Sequence, residues 1–285
     1  MPSGTAVLLI SCPDQKGLVA GVANFVFRNS GNIVHAEQHI DAPQSIFFHR
    51  VEWELDGFAL APEEIGPAFQ EVAEPFGMKW ELRFSSERPR IAIFVSRHDH
   101  CLMELLYRYR VGELPCEIVA IISNHEDLAS LARNFGVPFH VFPITAANKV
   151  EQEQRELKLL RERGVELIVL ARYMQILTSQ FVKCYPNKII NIHHSFLPAF
   201  IGKKPYHQAY QRGVKVIGAT SHFVTEELDQ GPIIEQDVCR VTHRDSLDDL
   251  ILKGRDLERK VLSRSVRLQL LHRVLPYGHK TVVFD

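Results

Sequence analysis

The sequence predicts an α/β protein with two domains: a ferredoxin-like βαββαβ domain, then an open, mostly parallel sheet with helices on both faces. Residues 6–84 alternate between strand and helix patterns in the order βαββαβ. Residues 85–90 (SSERPR) are polar and contain a proline, as linkers do. Beyond them strand and helix patterns alternate, which is typical of a parallel sheet. The predicted division is therefore 1–84, a linker at 85–90, and 91–285.

The first domain is predicted from apolar runs and the turns between them. Residues 6–12 form an apolar run typical of a buried strand, and Leu18, Val22, Phe25 and Val26 recur at helical spacing. The other predicted elements are strands at 33–40, 46–55 and 78–84 and a helix at 62–76.

The second domain is predicted from the regular alternation of apolar strands with amphipathic helices. In open sheets of this kind, ligands bind beyond the carboxyl ends of the strands. The predicted strands are 91–96, 117–123, 139–144, 166–171, 188–192, 216–224, 233–241 and 281–284, and the predicted helices are 101–109, 125–135, 149–163, 179–184, 206–212 and 246–270.

Composition and charge are those of an ordinary globular protein. Hydrophobic residues make up 46% of the 285 residues, and the formal net charge is −1. A chain without excess charge has no global field to attract nucleic acid or an anionic membrane, and no apolar run approaches the length of a membrane span. Arg259, Lys260 and Arg264 share a helical pattern with Glu258, which predicts a solvated helix face.

The cysteines argue against a disulfide framework and against a zinc cluster. They are scattered, odd in number and contain no CxxC pair: Cys12, Cys101, Cys116, Cys184 and Cys239. This usage is typical of a reducing cytoplasm. The first residues lack the basic segment and the long apolar run of a signal peptide. A cytoplasmic protein is therefore expected.

The strongest candidate for a catalytic site begins at the end of the predicted strand 188–192. Asn191 and His193 are two positions apart, so a strand places them on one face. An imidazole transfers protons near neutral pH, an amide N–H stabilises an oxyanion, and the carboxylate of Asp229 could orient the imidazole or a water. The alternative is that His193 caps a strand and Asp229 is a solvated turn residue. His194 points away from His193 along a strand, so no metal site is expected.

The first domain resembles an ACT domain in two segments, CPDQKGL at 12–18 and SGNI at 30–33. The resemblance implies an effector site for an amino acid, glycine or methionine, near Asp14, Gly17 and Asn32. It also implies a homo-oligomer, because ACT domains often pair edge to edge. The alternative is that Gly17 and Gly31 only satisfy turn geometry.

The second domain resembles the folate-dependent formyltransferase family in three ordered segments: LARYMQIL at 170–177, NIHHSFLP at 191–198 and HFVTEELDQGPII at 222–234. The resemblance implies that Asn191, His193 and Asp229 are catalytic. It implies that 10-formyltetrahydrofolate is a substrate, with no separate cofactor. The residues that it places beside the folate are Met174, Gln175, Ile176, Leu177, Thr225, Glu226, Glu227 and Leu228.

One departure from the family pattern predicts the reaction. The transferases hold the phosphate of their acceptor on a glycine-rich turn, whereas the equivalent turn here, SRHDHCL at 96–102, contains no glycine. Water then becomes the expected nucleophile, and formate and tetrahydrofolate the expected products. His194, residues 198–202 and the two-domain arrangement resemble a hydrolytic group of the family that supplies formate for purine synthesis.

Two alternatives to hydrolysis are left open by the sequence. Arg97 could bind the phosphate of an acceptor through its side chain, which would make the protein a formyltransferase to an amine. A non-catalytic folate or amino-acid sensor built on the ACT domain is the third hypothesis, although the complete Asn191, His193 and Asp229 set argues against it. Near-neutral charge argues against a tRNA acceptor.

Overall fold

The computed structural model describes residues 4–199 and 205–285. Its chain divides into two compact units. The first comprises Met1–Glu87, Leu271–Leu275 and Val282–Asp285, and the second comprises Arg88–Leu270 and Pro276–Thr281. The predicted second domain includes all of 91–285, whereas residues 271–275 and 282–285 belong to the first unit. The predicted division into domains stays a prediction. Residues 200–202 of the segment 198–202 lie outside the described residues.

The first unit contains the predicted ferredoxin-like βαββαβ arrangement. Its four strands form an antiparallel sheet in the order β2-β3-β1-β4. Helix residues Leu18, Val22, Phe25 and Val26 pack against the apolar residues of the sheet, as their spacing predicts. The elements are β1 (Thr5–Pro13), α1 (Leu18–Arg28), β2 (Ile33–Asp41), β3 (Ile46–Glu54), α2 (Pro62–Ala73), a 3₁₀ turn (Glu74–Phe76) and β4 (Lys79–Phe84).

A buried arginine explains why a C-terminal segment belongs to the first unit. Arg50, on β3, is almost completely buried. Its Nε donates to the carbonyl oxygen of His272 at 2.9 Å, and its Nη2 pairs with Glu52 at 2.8 Å. A buried guanidinium is stable only when its donors are satisfied, so Arg50 binds the 271–275 segment to the sheet.

The second unit contains the predicted open sheet. Seven strands lie in the order β11-β10-β9-β8-β5-β6-β7, and those from β9 to β7 are parallel. β10 runs antiparallel to both β9 and β11. The elements are β5 (Arg90–Val95), α3 (His100–Arg110), β6 (Glu117–Ser123), α4 (Ala129–Asn134), β7 (Phe139–Val141), α5 (Lys149–Glu162), β8 (Leu167–Leu170), α6 (Ser179–Lys183), β9 (Ile189–His193), α7 (Pro205–Arg212), β10 (Val216–Phe223), β11 (Ile233–Arg240) and α8 (Leu247–Leu270). A separate two-stranded sheet contains β12 (Val274–Tyr277) and β13 (Lys280–Val283), whose residues are divided between the two units.

Helices cover both faces of the seven-stranded sheet. Ala92 and Phe94 of β5 lie in one core with Leu157 and Leu160 of α5 and with Phe181 of α6. On the other side, α8 packs against β9, β10 and β11, and α3 packs against α8. Alternate residues of each strand therefore face two different helix layers, which confirms the predicted architecture. Among the described residues, no helix has the length and apolarity needed to cross a bilayer.

Two predicted elements differ from the structure, and one observed strand was not predicted. The helix predicted at 125–135 spans only Ala129–Asn134, because the His125 N–H donates to the Ser123 hydroxyl in a turn. The strand predicted at 139–144 ends at Val141, and the backbone near 143–145 instead bonds to the Asn148 side chain. The strand β12 was not predicted, because it contains Pro276 and prolines are typical of strand edges and turns.

Candidate active site

The candidate site lies at the end of β9. Asn191 and His193 point to one face of the strand, while Ile190 and Ile192 point to the other face and are buried. In the antiparallel pairing with β10, Asn191 is opposite His222. Side chains that are directly opposite on adjacent strands lie on the same face of a sheet. The fold therefore adds His222 to the predicted pair.

The structure brings the three predicted catalytic side chains together. His193 Nδ1 lies 3.3 Å from Asp229 Oδ2. His222 Nε2 lies 3.6 Å from Asp229 Oδ1 and 3.2 Å from Asn191 Nδ2. Asn191, His193, His222 and Asp229 thus form one polar cluster, and the solvated-turn alternative for Asp229 is wrong.

His222 has a defined tautomer in this cluster. Its Nδ1 lies 2.9 Å from the carbonyl oxygen of Phe223, which can only accept a hydrogen bond. We therefore assign the proton of the neutral ring to Nδ1, which leaves Nε2 to accept a hydrogen bond from Asn191 Nδ2. This bond fixes the amide of Asn191 with its second N–H available. The role of His222 follows from strand register, which the sequence does not show. The only sequence signal for it was its position at the start of the segment HFVTEELD.

The turn between β10 and β11 presents Asp229 in a left-handed backbone conformation, with φ of 57°. The turn is closed by a hydrogen bond of 2.9 Å from the Phe223 N–H to the carbonyl oxygen of Pro232. Burial alone would raise the pKa of Asp229, but the hydrogen bond from His193 outweighs burial and holds this pKa well below its usual range. Asp229 is therefore ionised at neutral pH.

His193 has one ring nitrogen engaged and the other available. Nδ1 faces Asp229, whereas Nε2 is buried and has no hydrogen-bond partner among the described residues. A buried ring nitrogen without a partner is costly unless a ligand or water uses it. The arrangement can therefore move a proton at Nε2 while Asp229 holds the ring, next to the amide of Asn191.

The two segments predicted to contact folate expose apolar side chains. Met174 is 54% exposed, Ile176 60% and Leu228 53%. Gln175, Leu177 and Thr225 are half-buried, while Glu226 and Glu227 are exposed. Both segments therefore expose large apolar side chains near the catalytic cluster. A flat aromatic ligand that bound there would cover these side chains. Folate binding by these residues stays a prediction.

The 173–178 segment is bound to the body of the unit at several points. The Met174 N–H donates to the Ser96 hydroxyl at 3.0 Å, and Ser96 in turn donates to Asn124 at 2.7 Å. On α5, Glu153 accepts hydrogen bonds from the backbone N–H and hydroxyl of Thr178. These anchors fix the backbone of the segment, as recognition through backbone groups requires.

A buried carboxyl beneath the same segment makes stability depend on pH. Burial raises the pKa of Glu156 from 4.5 to about 8, and a hydrogen bond from Tyr173 offsets this only partly. Between these values the folded protein keeps a proton that the unfolded chain releases. The raised pKa therefore contributes stability at low pH that is lost as pH rises from 4.5 to about 8.

The variant Glu156→Gln should remove this pH dependence, because an amide stays neutral. We expect its thermal unfolding midpoint to match the wild type at pH 5 and to exceed it by roughly 5 °C at pH 8. The control is Glu162→Gln, which removes an exposed carboxylate from the same helix. Equal differences between variant and wild type at both pH values would contradict the prediction.

Glu258 is not on a solvated face, which corrects the sequence prediction. Its side chain is 1% exposed, whereas its neighbours Arg259, Lys260 and Arg264 are largely solvated. Its Oε2 lies 2.7 Å from His100 Nε2 and 3.3 Å from Arg172 Nε, and its Oε1 accepts from the Tyr206 hydroxyl at 2.6 Å. Burial alone would raise the pKa of Glu258. The hydrogen bond from His100 and the charge of Arg172 have the larger effect and bring this pKa down to about 2.

His100, Cys101 and Glu258 have potential ligand atoms within 4.8 Å of one another. Burial holds the pKa of the Cys101 thiol well above its usual value, and Arg172 already neutralises Glu258. These side chains are therefore better suited to an ion-pair cluster than to a metal centre. Catalysis without a metal stays a prediction.

The residues predicted to bind an effector lie on the first unit. Gly17 precedes α1 with φ of 95°, a conformation that favours glycine. Asp14 is exposed, and the side-chain amide of Asn32 donates to Glu54 at 2.9 Å. Turn geometry therefore explains Gly17, and an effector site near these residues stays a prediction.

Comparison with known proteins gives the family of the second unit and of the whole chain. A formyl transferase family model matches residues 89–266. A formyltetrahydrofolate deformylase from Synechocystis sp. is 57% identical over 284 residues, which cover 100% of both chains. The relative of the same name from Bacillus subtilis is 49% identical over 98% of this chain and 93% of its own length.

Solved structures agree with the sequence relatives. The crystal structure of a formyltetrahydrofolate deformylase from Pseudomonas syringae pv. tomato matches with a TM-score of 0.97 and 45% identity, covering 100% of this chain and 96% of that chain. A glycinamide ribonucleotide transformylase from Symbiobacterium toebii matches 70% of this chain and 95% of its own, with a TM-score of 0.65 and 31% identity.

Proposed function

The chain belongs to the formyltetrahydrofolate deformylase family, and from that premise we propose that it hydrolyses 10-formyltetrahydrofolate to formate and tetrahydrofolate. The observation that carries the proposal is the His193–Asp229 pair, with Nε2 of His193 unpartnered beside the amide of Asn191. The folate is the substrate, and the bond cleaved is the linear amide C–N bond to its formyl group. The formate released is then available for purine synthesis.

In the first step, a water attacks the formyl carbon and His193 Nε2 takes one of its protons. Asp229 accepts a hydrogen bond from His193 Nδ1, which orients the ring and stabilises the imidazolium that forms. The lowered pKa of Asp229 supports this orienting role, because a weakly basic carboxylate is a poor acceptor for the water proton. The free N–H of Asn191 stabilises the oxyanion of the tetrahedral intermediate.

In the second step, the intermediate breaks its C–N bond. The imidazolium of His193 returns the proton to the departing nitrogen of the folate, and the carbonyl of formic acid re-forms from the oxyanion. Formic acid then ionises to formate in solution. The two steps consume one water, and the ring of His193 ends neutral, as it began.

Water is the proposed acceptor because the turn after β5 lacks the glycine-rich backbone that would bind the phosphate of a phosphorylated amine. The segment 96–102 contains no glycine, and Ser96 is buried with its hydroxyl already bonded to Asn124 and Met174. Side chains along a turn keep an anion away from the backbone N–H groups that would bind it.

Formate release from 10-formyltetrahydrofolate by the purified protein, with no amine present, tests the proposal. We expect formate and tetrahydrofolate in equal amounts. Formation of product only after an amine is added would show a transferase instead, and tight folate binding without turnover would show a sensor.

The same proposal extends to the first unit and to assembly. Glycine or methionine binding near Asp14, Gly17 and Asn32 would make that unit a regulatory domain, and pairing of such units would make the enzyme a homo-oligomer. The scattered, free cysteines fit a cytoplasmic enzyme. Adding each amino acid in turn to the formate assay tests the regulatory part.

A further inference from the structure

Helix α5 buries polar side chains on the face that an amphipathic helix normally fills with apolar ones. Gln152 is 7% exposed, Glu153 3% and Glu156 0%. A buried carboxyl group is costly unless hydrogen bonds compensate for the water that it loses. Glu153 and Glu156 find these bonds on the segment 173–178, which contains four residues predicted to contact folate. We call this stretch the folate segment.

The folate segment depends on side chains for its shape. In the part of the chain that the structure describes, residues 172–177 make no backbone-to-backbone hydrogen bond. Helix α5 supplies bonds to the backbone instead. Lys149 donates to the carbonyl oxygen of Ile176, and one helical turn further on Glu153 accepts from the Thr178 N–H. The conformation of this backbone is therefore set by α5 and not by a ladder of its own.

Glu153 uses both of its carboxylate oxygens on one residue of the folate segment. Oε1 accepts from the Thr178 N–H at 3.1 Å, and Oε2 accepts from the Thr178 hydroxyl. An ionised carboxylate is a pure acceptor, so it matches two donors on one partner. The two bonds together fix the position of Thr178, and with it the end of the folate segment.

The folate segment and the catalytic residues are positioned by different parts of the second unit. Asn191 and His193 are held by the pairing of β9 with β10, and Asp229 by the turn between β10 and β11. Glu153 acts on Thr178 instead. A segment that is already ordered loses less conformational entropy when a ligand binds, so anchoring it raises affinity. Loosening the segment should therefore weaken binding and leave the reacting groups in place.

We propose that α5 sets the affinity of the site for folate, and that Glu153 is the positioning residue through which it does so. Glu153 holds the Thr178 end of the folate segment and Lys149 holds its middle, so the backbone groups of the segment are in place before the folate ring arrives. The inference rests on the proposed function for the identity of the ligand, and it adds the part of the fold that determines how tightly this ligand binds.

The test compares Glu153→Met with the wild type in two assays, equilibrium binding of tetrahydrofolate and formate release from 10-formyltetrahydrofolate. Methionine has nearly the length of glutamate but no oxygen to accept from Thr178. We expect the dissociation constant and KM to rise about tenfold, as for the loss of one hydrogen bond to a charged group, while kcat stays within about twofold. Glu153→Gln again offers an acceptor to the Thr178 N–H and should recover most of the affinity. The control is Glu151→Gln, which removes an exposed carboxylate from the same helix.

A second variant shows whether Glu153 acts through Thr178. Thr178→Ala removes the hydroxyl and should raise the dissociation constant severalfold by itself. Combined with Glu153→Met it should weaken binding by less than about twofold beyond Glu153→Met alone, because both changes remove the same contact. If Glu153→Met does not fold, the half-buried Thr178 provides the test, and unchanged binding by Thr178→Ala then contradicts the inference.

Three other outcomes would overturn the inference. They are an unchanged dissociation constant in Glu153→Met, a fall in kcat without a rise in KM, and a Glu153→Gln variant that binds no better than Glu153→Met. Binding of tetrahydrofolate is measured without turnover, so it separates this inference from the proposed hydrolysis. A wild type that binds tetrahydrofolate but releases no formate contradicts the hydrolysis alone, whereas one that does not bind it contradicts both.

Discussion

Replacing His193 with alanine is expected to lower kcat by about a thousandfold, because the imidazole takes the proton from water and returns it to the departing nitrogen. The fold should persist, since the backbone pairing of β9 with β8 and β10 does not depend on this side chain. Formate release under saturating substrate gives kcat, and far-ultraviolet circular dichroism checks the fold. The control is His243→Ala, which removes an exposed histidine from the turn between β11 and α8.

A double variant makes this prediction stricter. If Asp229 acts by orienting His193, then His193→Ala combined with Asp229→Ala should be little slower than the slower single variant, because residues that act as one unit are not additive. Multiplicative losses would assign Asp229 an independent role. Near-wild-type turnover of His193→Ala would remove that residue from the mechanism.

Replacing Gly231 with alanine is expected to lower turnover by about a hundredfold although it removes no functional group. A Cβ atom at this position would lie 1.7 Å from the backbone carbonyl oxygen of Phe223, so the turn must move. Asp229 lies two residues earlier in that turn. A displacement of about 1 Å at a catalytic group lowers the rate by about a hundredfold. Kinetics and the unfolding midpoint are measured together.

The matched control makes the same chemical change where there is room. In Gly66→Ala, the added Cβ would be 3.5 Å from the Trp80 ring, an ordinary contact, and the position lies within α2. That variant should keep full turnover with little change in stability, because Pro67 disfavours a helical residue with a Cβ atom before it and so offsets the usual gain from glycine to alanine. Full turnover in Gly231→Ala would show that the turn tolerates the shift.

Local sequence pattern predicted the elements, and tertiary geometry decided the site. Asn191 and His193 could be placed on one strand face because strand alternation is a local property. That Asp229 reaches His193 depends on a turn that folds back across two strands, which a separation of 36 positions does not encode. The motif resemblance supplied Asp229, whereas the contact between Asn191 and His222 follows only from the register of β9 against β10.

The misplacement of Glu258 has a different cause. Its neighbours Arg259 and Lys260 are solvated, so local charge predicted a solvated face. Helical spacing was the better signal, because Gly254, Glu258, Val261 and Ser265 recur at intervals of three or four and are all buried. A charged residue on the apolar stripe of a helix is a candidate for a buried ion pair.

The alternation within β9 also limits how this protein can change over evolution. The strand places Asn191 and His193 on one face and the buried Ile190 and Ile192 on the other, within four positions. Insertion or deletion of one residue would exchange the two sets, exposing isoleucine to substrate and forcing Asn191 and His193 into hydrocarbon. Point substitutions in β9 can therefore lower folding stability or activity by different amounts. A change in the length of β9, in contrast, must abolish folding and activity together.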